Sequence, residues 1–108
     1  GMTEDGNLLI VGGWGGTAYL KSMEVLDVNH PENGWEVSPV EMSVARDSFA
    51  MVVVDGRFVY VCGGYNDAGS WLDSVEMLDW ENRELGWKML ETPIPTASNA
   101  LASTVLVD

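Results

Sequence analysis

Cysteine and long apolar runs are almost absent from this 108-residue sequence. Its single cysteine, Cys62, can form no disulfide within one chain, and there is no Asn-x-Ser/Thr acceptor for glycosylation. The longest apolar runs, Leu8–Val11 and Phe58–Cys62, are far shorter than the ~20 residues of a membrane-spanning helix. These absences predict an intracellular, cytoplasmic protein in which Cys62 is a small buried hydrophobic residue. Gly1-Met2 has the form of a tag remnant left by a protease.

Basic residues are scarce as well. The sequence has five Lys and Arg against seventeen Asp and Glu, which gives a net charge of −12 at pH 7 and a pI near 4.1. A nucleic-acid-binding protein needs a basic stripe, and an anionic membrane surface repels an acidic protein, so neither partner is expected. The acidity favours basic or neutral partners.

Candidate catalytic and metal-binding residues are few. His30 is the only histidine and lies in a turn, whereas zinc sites recruit several histidines and cysteines. Ser48 and Ser70 have no base nearby in the sequence, and seventeen carboxylates make chance acid pairs inevitable. Asp67 and Asp73 lack the dense oxygen-ligand pattern of a calcium loop. We therefore expect no catalytic residues, no metal and no cofactor, so the protein is predicted not to be an enzyme.

What the sequence does contain is an internal repeat. An apolar run, a double glycine, an aromatic residue, a loop, a Ser-x-Glu-x-x-Asp segment and a Gly-Trp pair follow one another twice. Gly12 and Gly63, which open the double glycines, are 51 positions apart, and Trp35 and Trp87 are 52 positions apart. A period of about 50 residues indicates a repeat architecture, so we expect two copies of one supersecondary unit.

Apolar segments separated by turn residues predict an all-β chain. Asn33-Gly34 and Asp55-Gly56 are dipeptides that favour hairpin turns. The second copy has four predicted strands and the first has three, while the strand missing from the first copy is found near the C-terminus. The predicted strands are Leu8–Val11, Ser22–Val28, Trp35–Val37, Arg46–Val54, Arg57–Cys62, Ser74–Trp80, Trp87–Leu90 and Ala97–Val107.

One segment partly matches a nucleotide-binding motif. Gly13-x-Gly15-x-x-Ala18 follows an apolar strand, as the glycines of a dinucleotide-binding fingerprint do. That fingerprint needs a helix of a parallel βαβ unit, however, and the turn formers of Asn29–Gly34 predict antiparallel hairpins instead. We therefore expect no bound nucleotide.

With these features the sequence resembles the kelch repeat over about residues 7–107. The matching residues are Gly12-Gly13, Gly63-Gly64, Ser22, Glu24, Asp27, Ser74, Glu76, Asp79, Trp35, Trp87 and Arg46, the last as the basic residue that often opens a kelch repeat. Two departures are present. Ser98 or Asn99 stands where the second connector would have that basic residue, and Leu26 and Leu78 stand where an aromatic residue is usual.

The resemblance implies blades of a β-propeller, each a four-stranded antiparallel sheet. Two blades cannot close a propeller, which has roughly four to eight of them. We therefore expect a partial propeller completed by oligomerisation, in which copies join head to tail and a homotrimer of six blades is the preferred form. On this interpretation residues 3–45 are the first blade with three strands, residues 46–96 are the second blade, and residues 97–108 complete the first blade of a neighbouring chain.

The resemblance also implies which residues support the blades and which contact a partner. Double glycines permit unusual backbone angles and close approach, and tryptophans pack between blades. The loops after the double glycines and the connectors between blades would share one face, where aromatic and arginine side chains are typical interaction anchors. The predicted structural residues are Gly12, Gly13, Trp35, Gly63, Gly64 and Trp87, and the predicted partner-binding residues are Trp14, Tyr19, Arg46, Tyr65, Asn66, Asp67 and Trp71.

The function that follows from the resemblance is that of a non-catalytic protein–protein interaction module or scaffold, whose loop face binds a peptide or protein. An alternative for the aromatic residues is that Trp14 and Tyr65 pack under their own loops. An alternative for the whole chain is a fragment of a kelch-type propeller enzyme, an oxidase or a sugar-processing enzyme, whose active site lies in blades absent from this sequence.

Overall fold

The structure, a computed structural model, describes residues 2–47, 49–66 and 71–92. Its strands are β1 (Asn7–Trp14), β2 (Tyr19–Asp27), β3 (Glu36–Val37), β4 (Ala50–Val54), β5 (Phe58–Cys62), β6 (Val75–Asp79) and β7 (Lys88–Met89). They form two antiparallel sheets in chain order, β1-β2-β3 and β4-β5-β6-β7. The prediction of an all-β chain is confirmed, and every predicted strand within the described residues has a counterpart.

Two differences from the predicted strands have clear physical reasons. β4 begins at Ala50 rather than at Arg46, because Arg46 directs its side chain into the interior and its backbone N–H donates to the carbonyl of Leu20 in the other sheet. β1 continues through the double glycine to Trp14, because the backbone bulges there instead of ending the strand. The predicted strand Ala97–Val107 lies outside the described residues.

The double glycine of the first sheet shows both features that were predicted for it. Gly12 and Gly13 have φ angles of +63° and +103°, in the region that favours glycine, and the register shifts between Val11 and Gly13. A Cβ atom on Gly12 would lie 2.8 Å from the carbonyl oxygen of Arg46. The bulge therefore needs glycine for both its angle and its close packing.

The links into β3 and β7 are 3-10 helices, Pro31–Asn33 and Trp80–Leu85. The predicted hairpin turn at Asn33-Gly34 is therefore wrong. Pro31 supplies a helical φ at the first turn, and Gly34, at φ +72°, ends the helix by donating its N–H to the Pro31 carbonyl. The turn at Asp55-Gly56 is confirmed, since it joins the hairpin of β4 and β5 with positive φ at both residues.

The two sheets are built in the same register. Pairs of opposed residues in the first sheet recur in the second, 51 positions later for β1 and 52 positions later for β2 and β3. The corresponding pairs are Leu8–Leu26 with Val59–Leu78, Ile10–Glu24 with Val61–Glu76, Val11–Met23 with Cys62–Val75, and Glu24–Val37 with Glu76–Met89. The sequence repeat is thus a structural repeat.

The hydrophobic core lies between the two sheets. Its fully or almost fully buried side chains come from both of them, and residues of the connector and of the second 3-10 helix complete it. They are Leu9, Val11 and Met23, then Val59, Val61 and Leu78, with Met42 and Trp80. Burial of these apolar side chains is the main favourable term for holding the two sheets together.

The sheets turn opposite faces to this core. Leu9 and Val11 point inward from β1, whereas from β5 the inward residues are Val59 and Val61, the counterparts of Leu8 and Ile10. Each sheet therefore keeps one apolar face outside the core. The outward residues are Leu8, Ile10, Leu26 and Val37 on the first sheet, and Val52, Tyr60, Cys62 and Met77 on the second.

The outer edge of β1 is the place where the first sheet is one strand short. Met2 bridges to Leu8, as Val53 of β4 pairs with Val59 of β5. Within residues 2–47, 49–66 and 71–92, no strand continues beside β1 from that bridge. In the first sheet a single bridge thus stands at the position that β4 occupies in the second sheet.

The two tryptophans predicted to pack between blades differ in their surroundings. Trp87 is half-buried and packs against the core. Its counterpart Trp35 is 42% exposed, because it belongs to the sheet whose corresponding face lies outside the core.

Candidate partner-binding site

Four aromatic side chains lie in a continuous row across the ends of both sheets. Ring centroids are 4.8 Å apart for Trp14 and Tyr19, 5.9 Å for Tyr19 and Tyr65, and 4.9 Å for Tyr65 and Trp71. All four were predicted to share one face. We call Trp14, Tyr19, Tyr65 and Trp71 the aromatic row.

The row follows from the repeat. Trp14 ends β1 and pairs with Tyr19 at the start of β2, and Tyr65 makes the corresponding bridge to Trp71. Directly opposed residues of antiparallel strands project their side chains to the same side, so each hairpin places one aromatic pair there. The tyrosines of the two pairs meet in the middle, and the tryptophans lie at the two ends.

The row is accessible as well as ordered. Trp14 is 53% exposed and Trp71 is 46% exposed, while the two tyrosines are half-buried. Tilted and edge-to-face contacts of this kind contribute about 0.5–1.5 kcal/mol each beyond area burial. The rings therefore hold one another in place while about half of the surface of each tryptophan stays open to solvent.

Arg46 was predicted to belong to this exposed face, and the structure corrects that prediction. Its side chain is fully buried. Nη1 donates to the carbonyls of Gly63 (2.9 Å) and Ser74 (3.1 Å), and Nη2 donates to Ser74 Oγ (2.8 Å) and Glu76 Oε2 (3.1 Å). An arginine so enclosed holds the connector to the second sheet rather than contacting a partner.

Glu76 completes this buried polar cluster. Its carboxylate accepts backbone N–H bonds from Ser43 at 2.6 Å and Val44 at 3.2 Å in addition to the bond from Arg46. Burial of a charged pair is tolerated when further hydrogen bonds satisfy both partners, as they do for this carboxylate. The sequence signal was available in Arg46 and in the Ser-x-Glu segment, but only the fold brings them together.

Asn66 is the second predicted contact that is buried. Its Nδ2 donates to the carbonyl of Ala45 at 2.9 Å, so it fixes the connector next to Tyr65. Asp67, also predicted to bind a partner, lies outside the described residues.

Asp47 lies beside the row and was missed by sequence reasoning. It exchanges two backbone hydrogen bonds of 2.9 Å with Tyr65, which makes the two residues directly opposed. Its half-buried side chain therefore lies on the same side as the Tyr65 ring. Only its position next to Arg46 in the sequence could have drawn attention to it.

A second polar cluster lies at the opposite end of the strands. Arg57 forms a bidentate ion pair with Asp79, at 2.8 and 2.9 Å, and contacts Glu81 at 3.1 Å. The hydrogen bonds from Arg57 hold the pKa of the Asp79 carboxyl well below its usual range. A cavity of about 340 Å³ adjoins these groups, and Asp5 in its lining accepts the indole N–H of Trp80. These contacts cap the second 3-10 helix and join the sheets.

The remaining candidates do not assemble into a site. Cys62, predicted to be a small buried hydrophobic residue, is half-buried on the outward face of the second sheet, and this partial burial raises the pKa of its thiol. Among the described residues no three His, Cys, Asp or Glu side chains come together to hold a metal ion. In the same part of the chain, no helix is long and apolar enough to cross a membrane.

Comparison with known proteins identifies the second copy. The family model of the Kelch motif matches residues 45–84, which span β4, β5, β6 and the connector before them. The chain carries a kelch motif. The predicted resemblance is confirmed, and the first sheet repeats the strand register of this kelch motif. A search of curated proteins found no match.

Proposed function

We propose that the protein is a non-catalytic protein–protein interaction module whose kelch blades present the aromatic row to a peptide or protein partner. The observation that carries this proposal is the continuity of the row, which draws one aromatic pair from each blade and leaves Trp14 and Trp71 about half exposed. The alternative of a propeller-enzyme fragment stays a prediction.

The row has the properties of an interaction anchor. Tryptophan and tyrosine offer large contact area with only two side-chain torsions to fix, so little entropy is lost on binding. Asn66 and Arg46 hold the connector beneath it through hydrogen bonds to backbone carbonyls. A partner would therefore meet a surface that is already ordered.

The test is an unbiased peptide library selected on the wild-type protein. Selected peptides are expected to lose at least about fivefold in affinity for Tyr65→Ala or Trp71→Ala, since anchor truncation costs more than ~1 kcal/mol. Trp35→Ala is the matched control, because Trp35 is comparably exposed but lies outside the row. Peptides that bind the row variants as tightly as the wild type contradict the proposal.

We further propose that copies of the chain associate head to tail through their outward sheet faces and complete a ring, with three copies as the preferred number. Support comes from the repeat. The outward face of the first sheet is the counterpart of the face that the second sheet buries, and the outward face of the second is the counterpart of the face that the first buries. The edge of β1 and the segment Ala97–Val107, a strand by sequence prediction alone, would meet at the same junction.

This geometry makes a contact between copies that can be tested by cross-linking. Ile10 is the counterpart of Val61 and Cys62 is the counterpart of Val11, and Val61 and Val11 share the core of one chain. Ile10→Cys should therefore form a disulfide with Cys62 of another copy under mild oxidation. Leu85→Cys, at an 82% exposed position in a 3-10 helix, is the control. Equal cross-linking of the two variants contradicts head-to-tail association.

A further inference from the structure

We propose that the aromatic row binds a cationic peptide segment whose arginine or lysine side chains lie against its rings. This inference rests on the proposed function and specifies the chemistry of the partner. Three observations carry it. They are the exposed tryptophans of the row, the carboxylate of Asp47 beside it, and the engagement of the protein's own arginines with acidic, carbonyl or aromatic groups elsewhere.

The rings of the row suit cations. A guanidinium or ammonium within about 6 Å of an indole or phenol ring is attracted by the negative face of the ring, most strongly for tryptophan. The molecule already uses this interaction elsewhere, with Arg83 lying 4.2 Å from the ring centroid of Trp80 and Arg57 lying 4.8 Å from that of Phe58. Over the row itself, no cation is placed by the described part of the chain.

Asp47 adds a negative charge at the centre of the row. It is directly opposed to Tyr65, so their Cβ atoms are about 5 Å apart. The carboxylate is half-buried, and no Lys, Arg or His within the described ranges forms an ion pair with it. A cation on Tyr65 would thus have a ring face and a carboxylate within reach of one guanidinium.

The charge of the whole molecule favours the same partner. All three arginines are already engaged, Arg46 with Glu76, Arg57 with Asp79 and Arg83 with the carbonyl of Trp80. Only Lys21 and Lys88 among the five basic residues are exposed without such a contact in the described structure, against seventeen acids. The resulting negative field attracts basic segments and repels acidic ones.

The experiment uses a fluorescein-labelled octapeptide of alternating arginine and glycine, titrated with protein and followed by fluorescence anisotropy. A peptide with citrulline in place of arginine keeps the shape and removes the charge. We expect the arginine peptide to bind and the citrulline peptide to bind at least tenfold more weakly. Trp14→Ala and Trp71→Ala should each weaken binding about 2- to 30-fold, the range of a single cation–π contact.

The variant Asp47→Asn tests the contribution of the carboxylate to binding separately from that of the rings. It should weaken binding of the arginine peptide and make its affinity less dependent on salt, whereas Trp35→Ala should change neither. Thermal unfolding of each variant verifies that the fold is retained. Equal affinity for the arginine and citrulline peptides, or unchanged affinity in both tryptophan variants, overturns the inference.

The outcome also separates this inference from the proposed function. If the library peptides require Trp71 and Tyr65 but carry no positive charge, the cationic partner is wrong and the interaction module stands. If neither the arginine peptide nor any library peptide depends on these rings, both are wrong.

Discussion

The two sheets share one register, and yet the corresponding carboxylates of the two sheets differ in burial. Glu76 in the second blade is fully buried and receives bonds from Arg46, Ser43 and Val44. Glu24, its counterpart in the first blade, is exposed. The difference lies in the neighbours: the face that carries Glu76 is covered by the other sheet and the connector, whereas the face that carries Glu24 lies outside the core. The repeat thus specifies the strand register of each sheet, whereas the layer packed against a sheet determines which of its side chains are buried.

Removal of the two carboxylates in turn should give the largest difference in stability between the sheets. Glu76→Ala leaves Arg46 buried without its partner, so we expect a loss of about 3–5 kcal/mol in the free energy of unfolding. In dilute protein, where copies do not associate, Glu24→Ala should change it by less than about 0.5 kcal/mol, as exposed substitutions usually do. Urea denaturation of both variants measures the difference, and equal losses would contradict the assigned roles.

The core leucine and its counterpart give the next largest contrast. Leu78 is fully buried, so Leu78→Ala should cost about 2–5 kcal/mol through lost burial and a cavity. Leu26→Ala should cost less in dilute protein, because Leu26 is only half-buried on the outward face. If copies associate through that face, the cost of Leu26→Ala should grow with protein concentration. Thermal unfolding at two concentrations tests this; a concentration-independent cost argues against association.

Two glycines at corresponding positions should also differ in how much an alanine substitution destabilises the fold. Gly13 and Gly64 have φ angles of +103° and +99°, so an alanine is strained at either by about 1–3 kcal/mol. A Cβ atom on Gly64 would also lie 2.7 Å from the carbonyl oxygen of Asp47, whereas nothing lies within 4 Å of one on Gly13. We therefore expect Gly64→Ala to lower the unfolding midpoint in urea more than Gly13→Ala. The reverse order would show that the contact with Asp47 is misassigned.

The smallest expected effect is on the melting temperature at acidic pH. Because the Arg57 pair lowers the pKa of Asp79 below its unfolded value of about 3.9, the ionised carboxylate stabilises the fold above that pH. This contribution is lost as the pH falls through the lower, folded-state pKa. Asp79→Asn should therefore flatten the decline of the melting temperature below about pH 4. Within the described residues no ion pair of the first sheet corresponds to this one, since Gly6 stands where Arg57 would be.

Local signals made much of the blade plan predictable. Alternating apolar residues, the double glycines and the Asp55-Gly56 turn specify strands and their order, because the side-chain period and positive φ are properties of short segments. The kelch resemblance, rather than a local signal, implied that the four aromatic residues share one face, and the structure places two of them in each hairpin. Their placement in one row follows from the repeat.

The burial and the contacts of the polar residues were not predictable from local patterns. Arg46 and Asn66 have the character of surface residues, but long-range packing buries them against carbonyls of the chain. Asp47 gains its position beside Tyr65 from a bridge between segments 18 positions apart. Such contacts depend on how the connector lies on the second sheet, which no local pattern encodes.

We have proposed that the outward faces of the two sheets bind another copy of the chain. Light scattering across concentrations up to tens of micromolar tests it most directly, since association follows mass action. The mass is expected to rise from one chain of 11.8 kDa toward three, and Ile10→Glu on the outward face should abolish the rise. A wild-type mass of one chain throughout would contradict it.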